Sequence, residues 1–438
     1  MVEVRPLAQV AVVGGGTVAL LAAIAIARAL PGSNVTLLPC AVPEEALADH
    51  AVSGGAALQR LHARLGIPEA LLFARAGATP WLATRYRGFA HARGFFVGHG
   101  AAARDVAGGF APEPSLASLL AEQERCLLPE QEGSEAIDVL LRFDLDAYRA
   151  GLHALARQAG VQIAEQAVVA NGSVHAIGAD LIVDASGSGW IRAEQGSAAW
   201  LAWDAGAQVR LCRSSAAAPA VRVSLCDTIS KRAEGYLIEQ PGRHRTAWTA
   251  CWADPQDDAR MQQALEAASG APATQPIAVR PGRLGAPWQG HVVAIGDAAA
   301  RFAPLGSLNL HLAAAQILLL LDLLPSGTSP FSECAEYNRR AGLLADHAQD
   351  FVLCQQGKQG TALLAQRIDQ FRRRGWIPEL AEGCIPTDAW AQLMIGLGIE
   401  PGKLPRLRAM DQEEVASATR ARHANRSRLV STAGPYRV

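Results

Sequence analysis

Three consecutive glycines lie close to the start of the chain, directly after the apolar run Val10–Val13. A helical apolar segment follows them. A strand, a tight glycine turn and a helix in this order form the phosphate-binding end of a dinucleotide-binding unit. The glycines permit the turn and let the backbone approach a pyrophosphate, while the first N–H groups of the helix face its oxygens. The residues predicted to hold the pyrophosphate are Gly14, Gly15, Gly16, Thr17 and Val18.

A second pattern lies far downstream, where a short apolar strand ends in a Gly-Asp pair at Asp297. The Asp297 carboxylate can accept hydrogen bonds from the hydroxyls of a polyol chain. A loop and an apolar helix follow, and this helix would direct its positive end at whatever precedes it. Next to a flavin, that place is the ring edge that becomes negative on reduction. Together with the N-terminal glycine turn, the pair predicts FAD, with contributions from Pro304, Gly306, Ser307, Leu308 and Leu310.

Between these two patterns, another apolar strand runs from residue 179 to 184 and ends in small residues up to Gly187. Such an ending again brings backbone close to a nucleotide. One expected feature is missing, because the strand Asn34–Leu38 should be followed by an acidic residue that holds the adenosine ribose. Pro39 and Cys40 stand in that place. The sequence therefore leaves the ribose-binding residue unassigned.

Residues 77–89 and 94–100 are typical of two strands joined by a turn, and their aromatic side chains are densely clustered. They predict either a sheet edge with one exposed face or a wall of the substrate or flavin pocket. Trp81 and His99 lie in this hairpin, and His311 lies beside the second flavin motif. These three residues are the candidates for catalysis, although no pattern identifies a catalytic base. A structural role is the alternative for each histidine.

The order of the remaining elements predicts an α/β protein, and 438 residues are enough for two or three domains. We expect an FAD-binding Rossmann-like domain of the kind found in aromatic hydroxylases, an inserted antiparallel sheet and a helical C-terminal region. The expected divisions are 1–196 for the FAD-binding domain with a hairpin insertion at about 70–140, 197–285 for the substrate-facing sheet, 286–330 for the return to the FAD-binding domain, and 331–438 for the helical region.

Several local elements are expected within this scheme. Residues 107–137 are predicted to be loop-like because they are acidic and contain three prolines. A helix that ends near Gln158 should be capped by Asp144 or Asp146. A strand pair is expected at 161–169, and alternating strands are expected at 208–212, 221–226, 235–239 and 246–252.

Composition limits the possible functions. The formal net charge is −1, so no basic face for nucleic acid is indicated. The first nine residues lack the apolar core of a signal peptide, and the longest late apolar stretch is too short to cross a bilayer. The eight cysteines form no C-x-x-C pair, which argues against a zinc site or a disulfide framework and predicts no metal. We therefore expect a cytoplasmic protein.

The motifs collected above resemble the flavin-dependent tryptophan halogenases, which belong to the FAD monooxygenase superfamily. The resemblance extends over nearly the whole chain and implies that the family fold is present. It implies a further flavin contact at Val168. The stretches that carry it are Val13–Thr17, the hairpin from Gly77 to Arg85, Val183–Gly187, Ile295–Ala299, Pro304–Ser307, Tyr337–Arg340 and residues 388–401.

The residues that perform halogenation in this family have been replaced. By the ungapped match, the lysine that captures hypohalous acid falls on Trp81, and the glutamate beside the substrate falls on Gly306. The Thr-Gly pair that binds halide falls on Leu308 and Asn309. The family's Trp-x-Trp-x-Ile-Pro signature is also missing. The resemblance therefore implies an FAD enzyme that has lost its halogenation chemistry.

Reduced flavin and O2 give a C4a-hydroperoxide, which can transfer oxygen directly to an electron-rich ring when no halide intercepts it. The resemblance therefore implies a hydroxylase, not a halogenase. Halogenase-like flavoproteins without the lysine and glutamate include those that mature tryptophylquinone enzymes. The chain looks most like the monooxygenase that serves quinohemoprotein amine dehydrogenase, and this implies the small crosslinked subunit of that enzyme as substrate and partner.

Two other functions stay open at this point. The chain could hydroxylate a small indole or phenol in a biosynthetic pathway, and the volume of the cavity in front of the flavin would separate this from a polypeptide substrate. It could instead be a non-catalytic FAD-binding homologue, which would consume no O2. Electrons could come from NAD(P)H directly or from a separate flavin reductase, because no second dinucleotide turn is visible.

Overall fold

The computed structural model describes residues 7–89, 94–165, 177–189, 191, 199–204, 208–218, 223–325, 331–358 and 360–436. The strands, in chain order, are β1 (Gln9–Val13), β2 (Asn34–Leu38), β3 (Thr79–Trp81), β4 (Ala83–Arg87), β5 (Phe95–Gly98), β6 (Arg125–Cys126), β7 (Leu140–Arg142), β8 (Gln162–Ile163), β9 (Leu181–Asp184), β10 (Trp200–Ala202), β11 (Val209–Ala217), β12 (Cys226–Lys231), β13 (Gly235–Pro241), β14 (Arg245–Trp252), β15 (Ile277–Val279), β16 (Gly282–Leu284), β17 (Trp288–Gln289), β18 (Val292–Ala294), β19 (Ala300–Arg301) and β20 (Gly434–Pro435).

The α-helices are α1 (Thr17–Ala29), α2 (Gly55–Arg64), α3 (Glu69–Arg75), α4 (Leu116–Glu122), α5 (Leu145–Gln158), α6 (Asp258–Ser269), α7 (Leu308–Asp322), α8 (Phe331–Gln356), α9 (Ala362–Arg374), α10 (Thr387–Gly396), α11 (Pro405–Ala409) and α12 (Gln412–Thr432). Together with the strands they form the mixed α/β architecture that the sequence predicts, with a parallel sheet first and helices last.

A six-stranded sheet in the order β17-β18-β9-β1-β2-β8 forms the dinucleotide-binding layer. The central strand β1 pairs in parallel with both β2 and β9, and β9 pairs in parallel with β18. Because the carboxyl ends of parallel strands share one edge, the residues after β1, β9 and β18 meet there. These are the three places where the sequence predicts contacts to the nucleotide.

Two apolar helices pack against this layer. Every residue of α1 from Thr17 to Ile26 is buried, and so are most residues of α7. A helix that is apolar on all sides is stable only inside a core, because no side of it gains from contact with water. The two helices therefore fix the glycine turn and the loop before α7 on a rigid base.

A second sheet of seven strands, in the order β15-β11-β14-β13-β12-β4-β5, lies opposite the loop before α7. Its pairs are antiparallel except for β12 and β4, which are parallel. Alternate residues of a strand point to the same face. One face of this sheet accordingly presents Thr84, Arg213, Asp227, Ile229, Ile238, Gln240 and Thr249 to a common cavity.

The C-terminal helices lie against the hairpin of β4 and β5. The Gln392 side chain of α10 accepts a hydrogen bond from the Gly98 N–H at 2.8 Å and donates one to the Gly98 carbonyl at 3.0 Å. Gly396 approaches Phe95 so closely that an added Cβ would lie 2.0 Å from the ring. A larger residue at position 396 would push α10 away from the sheet edge.

Two local expectations need correction, a third lies partly outside the described residues, and for a fourth the structure decides between two alternatives. Residues 107–137 contain α4 and β6, because Ser115 caps a helix through a hydrogen bond from the Ser118 N–H. Of the strand expected at 221–226, residues 221 and 222 lie outside the described part of the chain, residues 223–225 are not in a strand, and β12 begins at Cys226, where pairing with β4 starts. The strand pair expected at 161–169 is described only as β8, since residues 166–176 lie outside the described part of the chain. Asp144, not Asp146, caps α5 by accepting a hydrogen bond from Ala147.

Within the part of the chain that the structure describes, none of the helices combines the length and the apolar character that a membrane span requires. Over the same residues, no three His, Cys, Asp or Glu side chains converge in a way that could hold a metal ion.

Candidate active site

The glycine turn brings three strand ends together. Gly14 has a φ of +153°, and an added Cβ would lie 2.4 Å from the carbonyl oxygen of Ala185, directly after β9. At Gly15 an added Cβ would lie 2.1 Å from the Cys40 carbonyl oxygen, directly after β2. Only glycine allows such close backbone approach, so the turn has the geometry that a dinucleotide site requires.

The N-terminal end of α1 faces an acidic side chain that the sequence does not point to. Asp49 Oδ1 accepts a hydrogen bond from the Val18 N–H at 2.9 Å, and an added Cβ on Gly16 would lie 2.2 Å from the same carboxylate. Asp49 is only 2% exposed. Burial raises the pKa of Asp49 to about 6, although the hydrogen bond from Val18 and the guanidinium of Arg149 lower it.

Asp297 lies directly after β18, at the same edge of the sheet. Its Oδ2 accepts a hydrogen bond from the Ala48 N–H at 2.6 Å. Its Oδ1 is buried, has no hydrogen-bond partner and lies 3.7 Å from Arg301 Nε. Burial raises the pKa of Asp297 to about 7. A buried acceptor without a partner fits the expected hydrogen bond from a polyol hydroxyl.

A first cavity lies between the loop before α7 and the seven-stranded sheet. Pro304, Gly306 and Ser307 line it on the loop side. Leu47, His50 and Ala51, from the segment between β2 and α2, close another side. Its volume of about 40 Å³ corresponds to roughly three water molecules. The cavity is at the position expected for the flavin ring, but a tricyclic ring needs more space than this.

A second cavity of about 90 Å³ adjoins the first, and Thr84 and Gly306 line both. Roughly seven water molecules would fill this volume. A cavity of about 150 Å³ holds a single benzene ring, so a bicyclic ring would enter only if these walls move apart. Its walls come from the hairpin, from α7 and from the C-terminal helices. The lining residues are Gly55, Ala56, Trp81, Thr84, Tyr86, Val97, Gly98, His99, Gly100, Asp138, Leu140, Gly306, Leu308, His311, Phe351, Ile385, Pro386 and Ala389.

Two of the three candidate residues for catalysis form a pair in this second cavity. The rings of Trp81 and His99 meet edge to face with centroids 4.2 Å apart. Trp81 Nε1 donates a hydrogen bond to the Ala83 carbonyl at 2.8 Å, which fixes the ring. His99 Nε2 is inaccessible to water and has no hydrogen-bond partner. Burial, and secondly the charge of Arg142, lower the pKa of His99 to about 3, so its imidazole is neutral.

His311 also lines the second cavity, but both of its ring nitrogens have partners. Nε2 lies 2.9 Å from the Cys384 carbonyl oxygen, and Nδ1 accepts a long hydrogen bond from the Ala57 N–H at 3.5 Å. The carbonyl requires the proton on Nε2. Burial lowers the pKa of His311 to about 4. This imidazole ties α7 to α2 and to the segment before α10, and it has no nitrogen free for a substrate.

A buried polar network joins the sheet to the loop before α7. Arg142, 1% exposed, lies 3.1 Å from Asp227 Oδ1. Asp227 Oδ2 accepts a hydrogen bond from Gln240 Nε2 at 2.9 Å, and the same nitrogen lies 3.0 Å from Ser307 Oγ. Ser307 adopts a left-handed backbone conformation with a φ of +55° as the N-cap of α7. The network thus holds a strained residue at the border of the two cavities.

The parallel sheet and the glycine turn define a dinucleotide-binding protein with a Rossmann-type layer. The sequence matches the tryptophan halogenase family over residues 9–412. The chain belongs to this family, as the resemblance predicted.

Solved structures with the same fold include several halogenases. BrvH, a flavin-dependent halogenase from Brevundimonas sp. BAL3, has a TM-score of 0.86 and 20% sequence identity, with 98% of each chain covered. Xcc4156, a flavin-dependent halogenase from Xanthomonas campestris, has a TM-score of 0.84 and 21% identity, with 98% of this chain and 97% of its own covered. MibH, a lanthipeptide tryptophan 5-halogenase, has a TM-score of 0.77 and 18% identity, with 99% and 93% covered. No curated protein sequence matches the chain.

FAD is the cofactor of this family, so the predicted cofactor is confirmed. The residues present fit FAD in their chemistry: the glycine turn suits the pyrophosphate, and Asp297 Oδ1, which has no hydrogen-bond partner, suits a ribityl hydroxyl. The first cavity lies where the sequence predicts the ring. Gly187 adjoins the same groove, where an added Cβ would lie 2.5 Å from Ala46 Cβ. In space the fit is incomplete, because the segment from Ala46 to Ala51 closes the groove.

Of the other residues predicted to contact the cofactor, those that the structure describes do not line the first cavity. Leu308 lines the second cavity and not the first. Leu310 is buried in the core against Gly54 and lines neither. Thr17 is buried and accepts a hydrogen bond from Arg149 Nε at 3.3 Å. Val168 lies outside the described residues.

Sequence reasoning missed four polar residues of the site. They are Asp49, Arg213, Asp227 and Gln240. The last three lie in strands where polar and apolar residues alternate, and this alternation places them on one face of the sheet. The pattern does not say which face lines the cavity. No motif or periodic pattern in the sequence around Asp49 predicts its contact with α1.

Proposed function

We propose that the chain is an FAD-dependent hydroxylase that transfers oxygen to an electron-rich aromatic ring held in the second cavity. The main support for this proposal is the set of residues that line this cavity. Trp81 stands where the resemblance locates the halogenase lysine, and the described residues around the cavity include no lysine or arginine. A halogenation route needs an amine there to receive hypohalous acid, and direct oxygen transfer does not.

Reduced FAD, held by the glycine turn and Asp297, would supply an electrophilic oxygen from O2. The chain's own residues have three tasks. The apolar walls exclude water, which would otherwise divert the oxidant. The Trp81 ring offers an aromatic face against which a substrate ring can pack. If the walls move apart around a substrate, His99 Nε2, which has no hydrogen-bond partner, becomes available to accept a hydrogen bond from an indole N–H or a phenol O–H.

We propose that the ring is a tryptophan side chain within a polypeptide, in the biogenesis of a tryptophylquinone cofactor. MibH, by its description, is a halogenase of a lanthipeptide tryptophan, so a relative with this fold acts on a peptide residue. The substrate suggested by the resemblance is the small crosslinked subunit of quinohemoprotein amine dehydrogenase. A free indole or phenol is the alternative.

The electrons for this reaction would come from a flavin reductase, as in halogenases of the family, or directly from NAD(P)H. We place the reaction in the cytoplasm, where reduced thiols persist. All eight cysteines are free, as a reducing compartment would keep them. A docking partner other than the substrate is not required for the proposed chemistry.

Halogenation is the second candidate function, because family membership favours it. Incubation of the FAD-loaded protein with a reductant, O2 and bromide separates the two, with intact mass as the measurement. The substrates would be free tryptophan and the crosslinked subunit. A gain of one or two oxygens on the subunit alone is the expected result. A brominated product would show that the chain is a halogenase, and peroxide without any mass change would point to a non-catalytic homologue.

A further inference from the structure

The N-terminal end of α1 is occupied by an anion that the chain itself supplies. The N-cap residue Gly16 has no side chain, so the first N–H groups of α1 need acceptors from elsewhere. Asp49 provides one through its 2.9 Å contact with the Val18 N–H. A helix N-terminus after a glycine turn is the place where a dinucleotide pyrophosphate binds. The Asp49 carboxylate therefore lies where a phosphate oxygen is expected.

Asp49 belongs to a segment, residues 46–51, that extends across the whole dinucleotide groove. Ala46 packs against Gly187, Ala48 donates its N–H to Asp297, and Ala51 reaches the first cavity. The Arg149 guanidinium secures the segment by donating a hydrogen bond to the Asp49 carbonyl oxygen. These contacts explain why the first cavity is too small for a flavin ring.

A second observation at this groove points to a ligand. Asp297 Oδ1 is buried and has no hydrogen-bond partner, although it lies 3.7 Å from Arg301 Nε and Asp297 Oδ2 is bonded to the segment. A buried acceptor with an ion-pair partner but no hydrogen bond can still accept one from a donor on a ligand. A ribityl hydroxyl would be such a donor, so the groove has the remaining polar group of a flavin site while the segment still covers it.

We propose that Asp49 competes with the FAD pyrophosphate for the N-terminal end of α1, so that FAD binds only when this carboxylate is displaced or protonated. Two anions cannot share the same N–H groups without strong repulsion in a buried site. Asp49 thereby sets the affinity for FAD and couples cofactor binding to proton uptake. The proposal rests on FAD as the cofactor and not on the reaction that follows.

The charges around Asp49 determine the sign of this coupling. Arg149, from α5, favours the charged form, whereas Asp297, after β18, disfavours it, and the Cys40 thiol after β2 is also close. Burial raises the pKa of Asp49 to about 6. A pyrophosphate beside it would raise this pKa further. FAD binding then takes up a proton and tightens as pH falls from 8 toward 6.

The test is the dissociation constant of oxidised FAD from the apoprotein, measured by flavin fluorescence at pH 8 and pH 6. Asp49→Asn keeps an oxygen acceptor for the Val18 N–H and removes the charge. We expect it to bind FAD at least about tenfold more tightly at pH 8 than the wild type. Its affinity should also vary less with pH. Asp411→Asn is the matched control, since Asp411 caps the remote helix α12 in the same way.

Riboflavin, which lacks the pyrophosphate, is the control ligand, and its affinity should be the same in wild type and Asp49→Asn. FAD affinity that is unchanged or weaker in Asp49→Asn, with the apoprotein melting as a folded protein, would overturn the proposal. If this variant does not fold, the wild-type comparison decides: FAD binding that does not tighten more than riboflavin binding between pH 8 and pH 6 would also overturn it.

Discussion

Trp81 and His99 meet edge to face, with their ring centroids 4.2 Å apart, in the wall of the cavity that adjoins the flavin position. One partner is hydrogen-bonded and fixed, and the other has a buried Nε2 without a partner. Trp81, one member of this aromatic pair, thus occupies the position that the resemblance assigns to the halogenase lysine. Our proposal of oxygen transfer in place of halogenation depends on this relationship.

Trp81→Lys should not create a halogenase. The lysine would lie among apolar walls, and the positions that match the family's glutamate and halide site would still be Gly306, Leu308 and Asn309. We expect no brominated product by intact mass with bromide present, and loss of hydroxylation because the aromatic wall is gone. Trp81→Phe keeps a ring at this position and should retain most of the hydroxylation. Bromination by the lysine variant would contradict the assignment of these positions.

His99→Ala should lower kcat/KM for hydroxylation by roughly 10- to 100-fold, the effect of removing one hydrogen bond to the reacting ring. Most of the loss should be in kcat if the hydrogen bond to His99 strengthens as positive charge develops on the substrate ring. His311→Ala is the matched control from the same cavity, because its imidazole is already fully bonded. Its turnover per folded molecule should stay close to the wild-type value. Equal losses in both variants would argue against a specific role for His99.

His311 should make stability depend on pH. Burial lowers the pKa of His311 to about 4 in the folded chain, whereas the unfolded chain protonates near pH 6.5. The stability from this neutral imidazole is therefore fully present above pH 6.5. It is lost as pH falls through that value toward 4, where the loss reaches about 3 kcal/mol. Urea unfolding of His311→Gln should show a flatter pH profile than the wild type. His423→Gln, on the exposed side of α12, serves as the control variant.

Asp297→Asn should weaken FAD binding by about tenfold or more, because an acceptor oxygen and its charge are lost opposite the ribityl chain. The amide can still accept the hydrogen bond from Ala48, so the fold should persist. Fluorescence titration of the apoprotein measures the change, and the exposed Asp322→Asn serves as control. Asp49→Asn is expected to tighten FAD binding. Opposite shifts in FAD affinity from these two neighbouring residues would show that Asp49 competes with FAD and that Asp297 binds it. Unchanged affinity would remove Asp297 from the site.

Breaking the buried pair Arg142–Asp227 should be costly. Asp227→Leu leaves the Arg142 guanidinium buried without its carboxylate, which destabilises a protein by about 3–5 kcal/mol. Chemical unfolding would measure this loss. The double variant Arg142→Met with Asp227→Leu should lose less than the sum of the single variants, because no charge is then left unpaired. Additive losses would mean that the two side chains act independently.

Much of the fold and part of the site follow from local sequence. The apolar runs and their turns predict β1, α1, β2, β9 and the strand before Asp297, since each is set by the period and turn chemistry of neighbouring residues. The same reasoning predicts Gly14, where backbone approach excludes a side chain. The resemblance also assigns Trp81 and Gly306 to the positions of the halogenase lysine and glutamate without a structure, and this assignment stays a prediction.

Tertiary structure alone decided how distant segments meet. The hairpin strand β4 pairs in parallel with β12, and this extends the sheet that lines the first cavity. Gln240 lies beside Ser307 only because the sheet packs over the loop before α7. Asp49 reaches Val18 from a segment with no periodic pattern. Contacts of this kind depend on the packing of whole layers, so a pattern that involves only neighbouring residues cannot contain them.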